Sequence, residues 1–147
     1  APLGYAAGPA KLIGAMKKIQ SQSTSNPTSI SQVAAEAALT GGRDCVEPMV
    51  KAFKERHDYL VAALNEIPGV SCIEGDGAFY AFPSLKGAME KAGISDDVAF
   101  AEKLLTDAGV ALVPGSAFGS PGYARLSFAT SLDTLKDAVA RLTKALS

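Results

Sequence analysis

The sequence predicts an α+β fold: a small, mainly antiparallel sheet covered by helices, preceded by a helical segment. Three observations predict it. Apolar residues recur at helical spacing in several separate stretches, while the β-rich runs are short, four to seven residues, and bounded by Gly, Pro, Ser and Asp. Strand-like runs follow one another directly in places instead of alternating regularly with helices, which favours antiparallel pairing over a parallel sheet. Finally, 147 residues of which 48% are hydrophobic suffice for one real core.

The elements follow in order. Ala1-Pro2-Leu3-Gly4-Tyr5 reads as a chain entering mid-strand. Pro9 suits the first position of a helix on which Leu12, Ile13, Met16 and Ile19 share a face. The polar run Gln20–Ser29 competes for backbone hydrogen bonds and favours loop. A second helix starts near Asn26-Pro27 or at a Ser29/Gln32 capping box, is Ala-rich from Val33 to Leu39, and ends at Gly41-Gly42. The third and longest runs from Asp44 to Asn65, with a stripe of Val46, Val50, Phe53, Leu60 and Leu64 flanked by Met49 and Val61. His57 falls on that stripe, which marks it as a half-buried, hydrogen-bonded group.

Val70–Ile73 and Ala78–Phe82 read as a hairpin through Glu74–Gly77, and a connection follows Pro83. Ser95 is placed to cap a helix from Asp96 to Ala108 that buries Val98, Ala101, Leu104, Leu105 and Ala108; Asp96 and Asp97 read as capping or solvated acids. Strands at Val110–Val113 and Tyr123–Ala129 flank the loop Pro114–Gly122, and Ser131 caps a last helix lined by Leu132, Leu135, Val139, Leu142 and Leu146.

Composition narrows the function. Fourteen basic residues against fifteen acidic ones give a net charge of −1 without a run of like charges, so no electrostatic footprint for nucleic acid or an anionic membrane exists. No stretch reaches membrane-spanning length. Cys45 and Cys72 are isolated, which speaks against a metal centre or disulfide framework and for a reducing, cytoplasmic setting. Neither a phosphate-binding G-x-x-x-x-G-K-[ST] nor a strand-linked G-x-G-x-x-G is present. The informative stretch is Val113–Ala129. On a two-residue period Tyr123, Arg125 and Ser127 share one strand face and Leu126 and Phe128 the other, so the guanidinium points away from the apolar face. A planar permanent cation there suits bidentate capture of a carboxylate or phosphate.

The ordered set Gly4-Tyr-Ala-Ala-Gly-Pro9, Gln22-Ser-Thr-Ser-Asn-Pro27, Ser29-Ile-Ser-Gln32, Gly77-Ala-Phe-Tyr80, Val113-Pro-Gly-Ser-Ala-Phe-Gly119 and Ala124-Arg-Leu-Ser127 resembles the carboxy-terminal part of class I aminotransferases, fold-type I pyridoxal-phosphate enzymes, in the branch of the bacterial aspartate aminotransferases. The resemblance covers the chain from Leu3 onward. It implies that Arg125 binds the substrate α-carboxylate and thereby orients the Cα–H bond, that Phe118 and Gly119 shape the pocket wall, and that Ser25 and Asn26 approach the site of a neighbouring subunit in a homodimer. It implies pyridoxal phosphate as cofactor, and an amino acid, aspartate expected, and a 2-oxo acid as substrates. Residues 1–45 would then be a remnant of the large cofactor-binding domain and residues 46–147 the small domain.

Two departures stand out. The position of the second, distal-carboxylate arginine of the dicarboxylate enzymes holds Ser21, and Pro2 and Leu3 stand where an arginine precedes the Gly-Tyr pair. The Schiff-base lysine falls upstream of residue 1, and Lys17, Lys54, Lys103 and Lys144 lie on polar helix faces, so the chain reads as an inactive carboxy-terminal fragment. The alternative is a stand-alone, non-catalytic α+β module binding an amino acid or a protein partner.

Overall fold

A computed structural model describes residues 3–147. Ala1 and Pro2 lie outside the described residues, and Leu3–Pro9 is coil, not the tail of a strand. The chain divides into two compact units, Ala1–Val46 and Glu47–Ser147.

The first unit carries α1 (Ala10–Ser23) and α2 (Ser29–Thr40). Pro9 is the N-cap of α1, one position earlier than expected, and its carbonyl accepts the N–H groups of Leu12 and Ile13. The helix runs through Gln20–Ser23, which the sequence assigns to loop. The hydroxyls there bond back to the turn before them, Ser21 to the Lys18 carbonyl at 2.8 Å and Ser23 to that of Ile19 at 3.2 Å, so they are absorbed by the helix and do not break it. The Ser29 capping box does not form; Thr28 is the N-cap, and the Gln32 side chain donates instead to the Pro27 carbonyl at 2.9 Å. Neither helix has a buried residue.

The second unit holds the core. Helix α3 (Val46–Asn65) buries Leu60, Val61 and Leu64, whereas Met49 and Val50 near its start are exposed. Strand β1 (Tyr80–Ala81) pairs antiparallel with β3 (Ala124–Ser127), as does β2 (Val113–Pro114), giving the order β1-β3-β2. The Val70–Ile73 run is not a full hairpin arm. Only Ser71 bridges, to Ser84, while the Asn65 side chain takes the place of a strand partner: it accepts the Cys72 N–H at 2.8 Å and donates to the Cys72 carbonyl at 2.9 Å. Ile73 is left exposed.

A short helix the sequence does not announce, α4 (Lys86–Ala92), buries Ala88 and Met89 and stops at Gly93 in the left-handed region. Helix α5 (Asp97–Ala108) is capped by Asp96, not Ser95, through the Val98 N–H at 3.0 Å. Its buried face is Asp97, Phe100, Ala101, Leu104 and Ala108; Val98 and Leu105 face out. Helix α6 (Leu132–Leu146) starts with Ser131 accepting the Thr134 N–H at 3.1 Å and buries Leu135, Val139, Leu142 and Leu146. Phe100, Leu60, Leu64 and Leu104 from the helices meet Leu126 and Phe128 from the sheet side in one apolar cluster. Cys72 and Cys45 are free thiols, and burial pushes the Cys72 thiol up from its ordinary value against a smaller opposing effect of backbone hydrogen bonding. No described helix is long and apolar enough to cross a membrane, and no cluster of metal-ligating side chains occurs among the described residues.

Candidate anion-binding site

Strand β3 alternates as its sequence requires. Ala124 and Leu126 are buried, Arg125 is half-buried and Ser127 exposed. Register then builds the site. Tyr80 on β1 lies opposite Ser127, and Val113 on β2 opposite Arg125, so Tyr80, Ser127, Arg125 and Val113 present one face.

The Arg125 guanidinium carbon lies 4.4 Å from the centroid of the Tyr80 ring and 4.7 Å from that of Phe118. Both rings hold the cation through their electron-rich faces. Among the described residues no carboxylate lies within ion-pairing distance of it; the ion pairs that occur are Lys54–Asp58, Lys103–Asp107 and Arg141–Asp137. The aromatic wall continues beyond the clamp, with Phe79 4.3 Å from Tyr80, Phe82 edge-on to Phe118 at 6.0 Å, and Tyr123 stacked on Phe82 at 5.4 Å between centroids.

Phe118 closes a 3₁₀ turn, Gly115–Phe118, that fills the start of the loop between β2 and β3. Its backbone demands glycine at Gly115, where a Cβ would stand 2.2 Å from the Ser120 carbonyl oxygen, and at Gly122, whose φ is +82°. Asp97 binds the same loop. This residue, which the sequence reads as a capping or solvated acid, is buried, and its Oδ2 accepts the Ser116 N–H at 2.8 Å and the Gly122 N–H at 3.3 Å. Burial by itself would raise the Asp97 carboxyl; the hydrogen bonds from Ser116 and Gly122 outweigh it and hold the group below its ordinary value.

The sequence-expected site residues are thus placed in two groups. Arg125 and Phe118 are in contact, and Gly119 follows Phe118 with φ +74° as the cap of the 3₁₀ turn. Ser25 and Asn26 belong to the first unit, exposed in the link between α1 and α2. Tyr80 is the contact that sequence reasoning missed. The signal was present in the two-residue period of Ala78–Phe82, but its use required the register of β1 on β3. His57 behaves as expected: its side chain is 13% exposed, Nε2 accepts the Gly75 N–H at 3.1 Å, and its ring stands edge-on to Phe128.

A guanidinium in contact with two aromatic rings, with its hydrogen-bonding groups uncommitted to any described acid, can receive a planar oxyanion through two parallel bonds. Fold and site therefore define a small α+β unit that carries, on a sheet face, an arginine unpaired with any described acid. Comparison with known proteins makes this specific. The family described as aminotransferase class I and II matches residues 2–142, and the chain belongs to that family. It is 53% identical to an aspartate/prephenate aminotransferase of Nitrosomonas europaea, covering 99% of this chain and 38% of that protein. It is 49% identical to an aspartate aminotransferase of Bacillus subtilis, covering 97% of this chain and 36% of that one. Among solved structures, an aspartate aminotransferase from Rhizobium meliloti superposes with a TM-score of 0.78 at 44% identity over 95% of this chain and 36% of its own. The chain spans little more than a third of the length of the relatives it matches.

Proposed function

We propose that this chain is the carboxy-terminal part of an aminotransferase that moves an amino group from an amino acid, aspartate first, to a 2-oxo acid, and that Arg125 binds the substrate α-carboxylate. The observation that carries the reading is the clamped guanidinium of Arg125, aligned by Tyr80 and Phe118 and unpaired among the described residues. A bidentate pair to the carboxylate fixes two atoms of the substrate, so the Cα–H direction follows from the position of the strand. Phe118 and Gly119 wall this side of the pocket. Ser25 and Asn26 are proposed to reach the site of the neighbouring subunit in a homodimer.

The domain reading follows the same line. Residues 1–45 are proposed as part of the large domain and residues 46–147 as the small one. In the whole enzyme pyridoxal phosphate supplies the carbonyl that takes up the amino group and the ring that delocalises the resulting charge. Lys86 is the lysine that lies against the aromatic wall, and its ammonium sits over the Tyr123 ring, 5.1 Å from the centroid.

The test is an aspartate-to-2-oxoglutarate transamination assay of the full-length protein. Arg125→Ala is expected to lower kcat/KM by about a hundredfold or more through lost charge-assisted bonds and misorientation, with an unchanged far-ultraviolet circular dichroism spectrum. Activity within threefold of the parent would remove Arg125 from the role. The chain by itself is expected to give neither turnover nor a single borohydride-reducible adduct with pyridoxal phosphate. Saturable amino-acid binding by the isolated chain, lost in Arg125→Ala, would favour the stand-alone module instead.

A further inference from the structure

The clamp accounts for Arg125, Tyr80 and Phe118, and leaves the buried charge of Asp97 without a role. Asp97 is 5% exposed and is the one buried charged residue among those described. It is not needed as a helix cap, since Asp96 already accepts the Val98 N–H. Instead its Oδ2 takes two donors, the N–H of Ser116 and that of Gly122, from the two ends of the loop that bears Phe118. Within that loop Gly119 donates to the Ser116 carbonyl at 3.1 Å, Ser120 to that of Gly115 at 2.9 Å, and Gly115 to that of Tyr123 at 2.7 Å. Hydrogen bonds to an ionised acceptor are roughly twice as strong as neutral ones, so the 2.8 Å bond from the Ser116 N–H is a strong tie for the loop, with the 3.3 Å bond from Gly122 as a longer second one. The loop's product, for the site, is the ring of Phe118 set 4.7 Å from the guanidinium carbon.

We propose that Asp97 is a positioning residue of the arginine site: by tying Ser116 to Gly122 it holds Phe118 against Arg125, and so sets carboxylate affinity without touching the ligand. The inference rests on the reading of Arg125 as the substrate-carboxylate site. Without the tie, the 3₁₀ turn is free to shift, the guanidinium keeps only the Tyr80 face, and its bidentate edge loses its fixed direction.

Two probes measure this by calorimetry on the full-length holoenzyme: 2-methyl-L-aspartate, which keeps the α-carboxylate and has no Cα–H to lose, and its α-carboxamide, in which that carboxylate is a neutral amide. The ratio of their dissociation constants reports carboxylate discrimination alone. Asp97→Ala is expected to cut the ratio about tenfold, the scale of one charge-assisted bond. Asp97→Asn, whose amide oxygen can still accept both N–H groups, is expected to stay within about threefold of the parent. Leu142→Ala, a core change remote in role, should lower the unfolding temperature and leave the ratio alone. Phe118→Ala should reproduce the Asp97→Ala loss. The proposal is overturned if Asp97→Ala weakens both probes equally, if Leu142→Ala moves the ratio as much, or, whatever the folding of the Asp97 variants, if Phe118→Ala leaves the ratio unchanged. Should Arg125→Ala fail to collapse the ratio, the carboxylate reading itself falls and takes this role with it. Collapse in Arg125→Ala alone overturns only the role of Asp97.

Discussion

The two units of this chain use the same kind of sequence to opposite effect. In Glu47–Ser147 amphipathic helices close on a sheet and bury Leu60, Phe100, Leu104, Phe128 and Leu142. In Ala1–Val46 helices that also carry apolar residues at helical spacing bury nothing: Leu12 and Ile19 on α1 and Ile30, Val33 and Leu39 on α2 are all exposed. The caps differ in the same sense. Asp96 and Ser131 bond the first turns of α5 and α6, whereas α1 and α2 have no side-chain cap bond. Periodicity thus says which face of a helix is apolar, and not whether the chain in hand supplies what covers it.

The largest consequence is that the units separate in stability. A polypeptide of residues 47–147 should show one cooperative unfolding transition by circular dichroism, and one of residues 1–46 should show none, because a helix of ten to fifteen residues without packing is marginal in water. Cooperative melting of the shorter piece would break the comparison. Next in size come core truncations. Phe100→Ala should cost about 3–5 kcal/mol in a denaturant titration and Leu60→Ala about 2–5 kcal/mol, while Leu39→Ala in α2 should change stability by no more than about 0.5 kcal/mol.

Much of this was legible in the residues. The alternation across Tyr123–Phe128 places Arg125 on the open face, and the structure agrees because the strand is buried on one side only. What was not legible is long-range. Asp97 looks like a second capping acid beside Asp96, and only the packing of a loop nineteen residues onward makes it a buried acceptor. The redundancy of two aspartates where one suffices was the available hint. Helix α4 is seven residues long, too short for a period to register. The Val70–Ile73 arm failed as a hairpin because an amide side chain, Asn65, satisfies the backbone that a strand would have paired.

Smaller effects sharpen the contrast. Ser131→Ala should cost about 1 kcal/mol by removing the bond to the Thr134 N–H, and Thr28→Ala, with no cap bond to lose, should cost distinctly less. The acid limb of the stability curve should carry a contribution from Asp97. Its carboxyl is lowered in the folded state, so its stabilisation is fully present above the unfolded value near 3.8 and fades as pH falls toward the lower folded one. Urea titrations of the parent and Asp97→Asn across that acidic window should converge as pH drops; curves that stay parallel would deny Asp97 its ionised role.

The most direct measurement of the central claim is a crystal structure of the full-length enzyme with 2-methyl-L-aspartate bound. The α-carboxylate is expected in a bidentate pair with Arg125, whose guanidinium stays in contact with Tyr80 and Phe118. A carboxylate bound elsewhere, with Arg125 paired to an acid of its own protein, would contradict it.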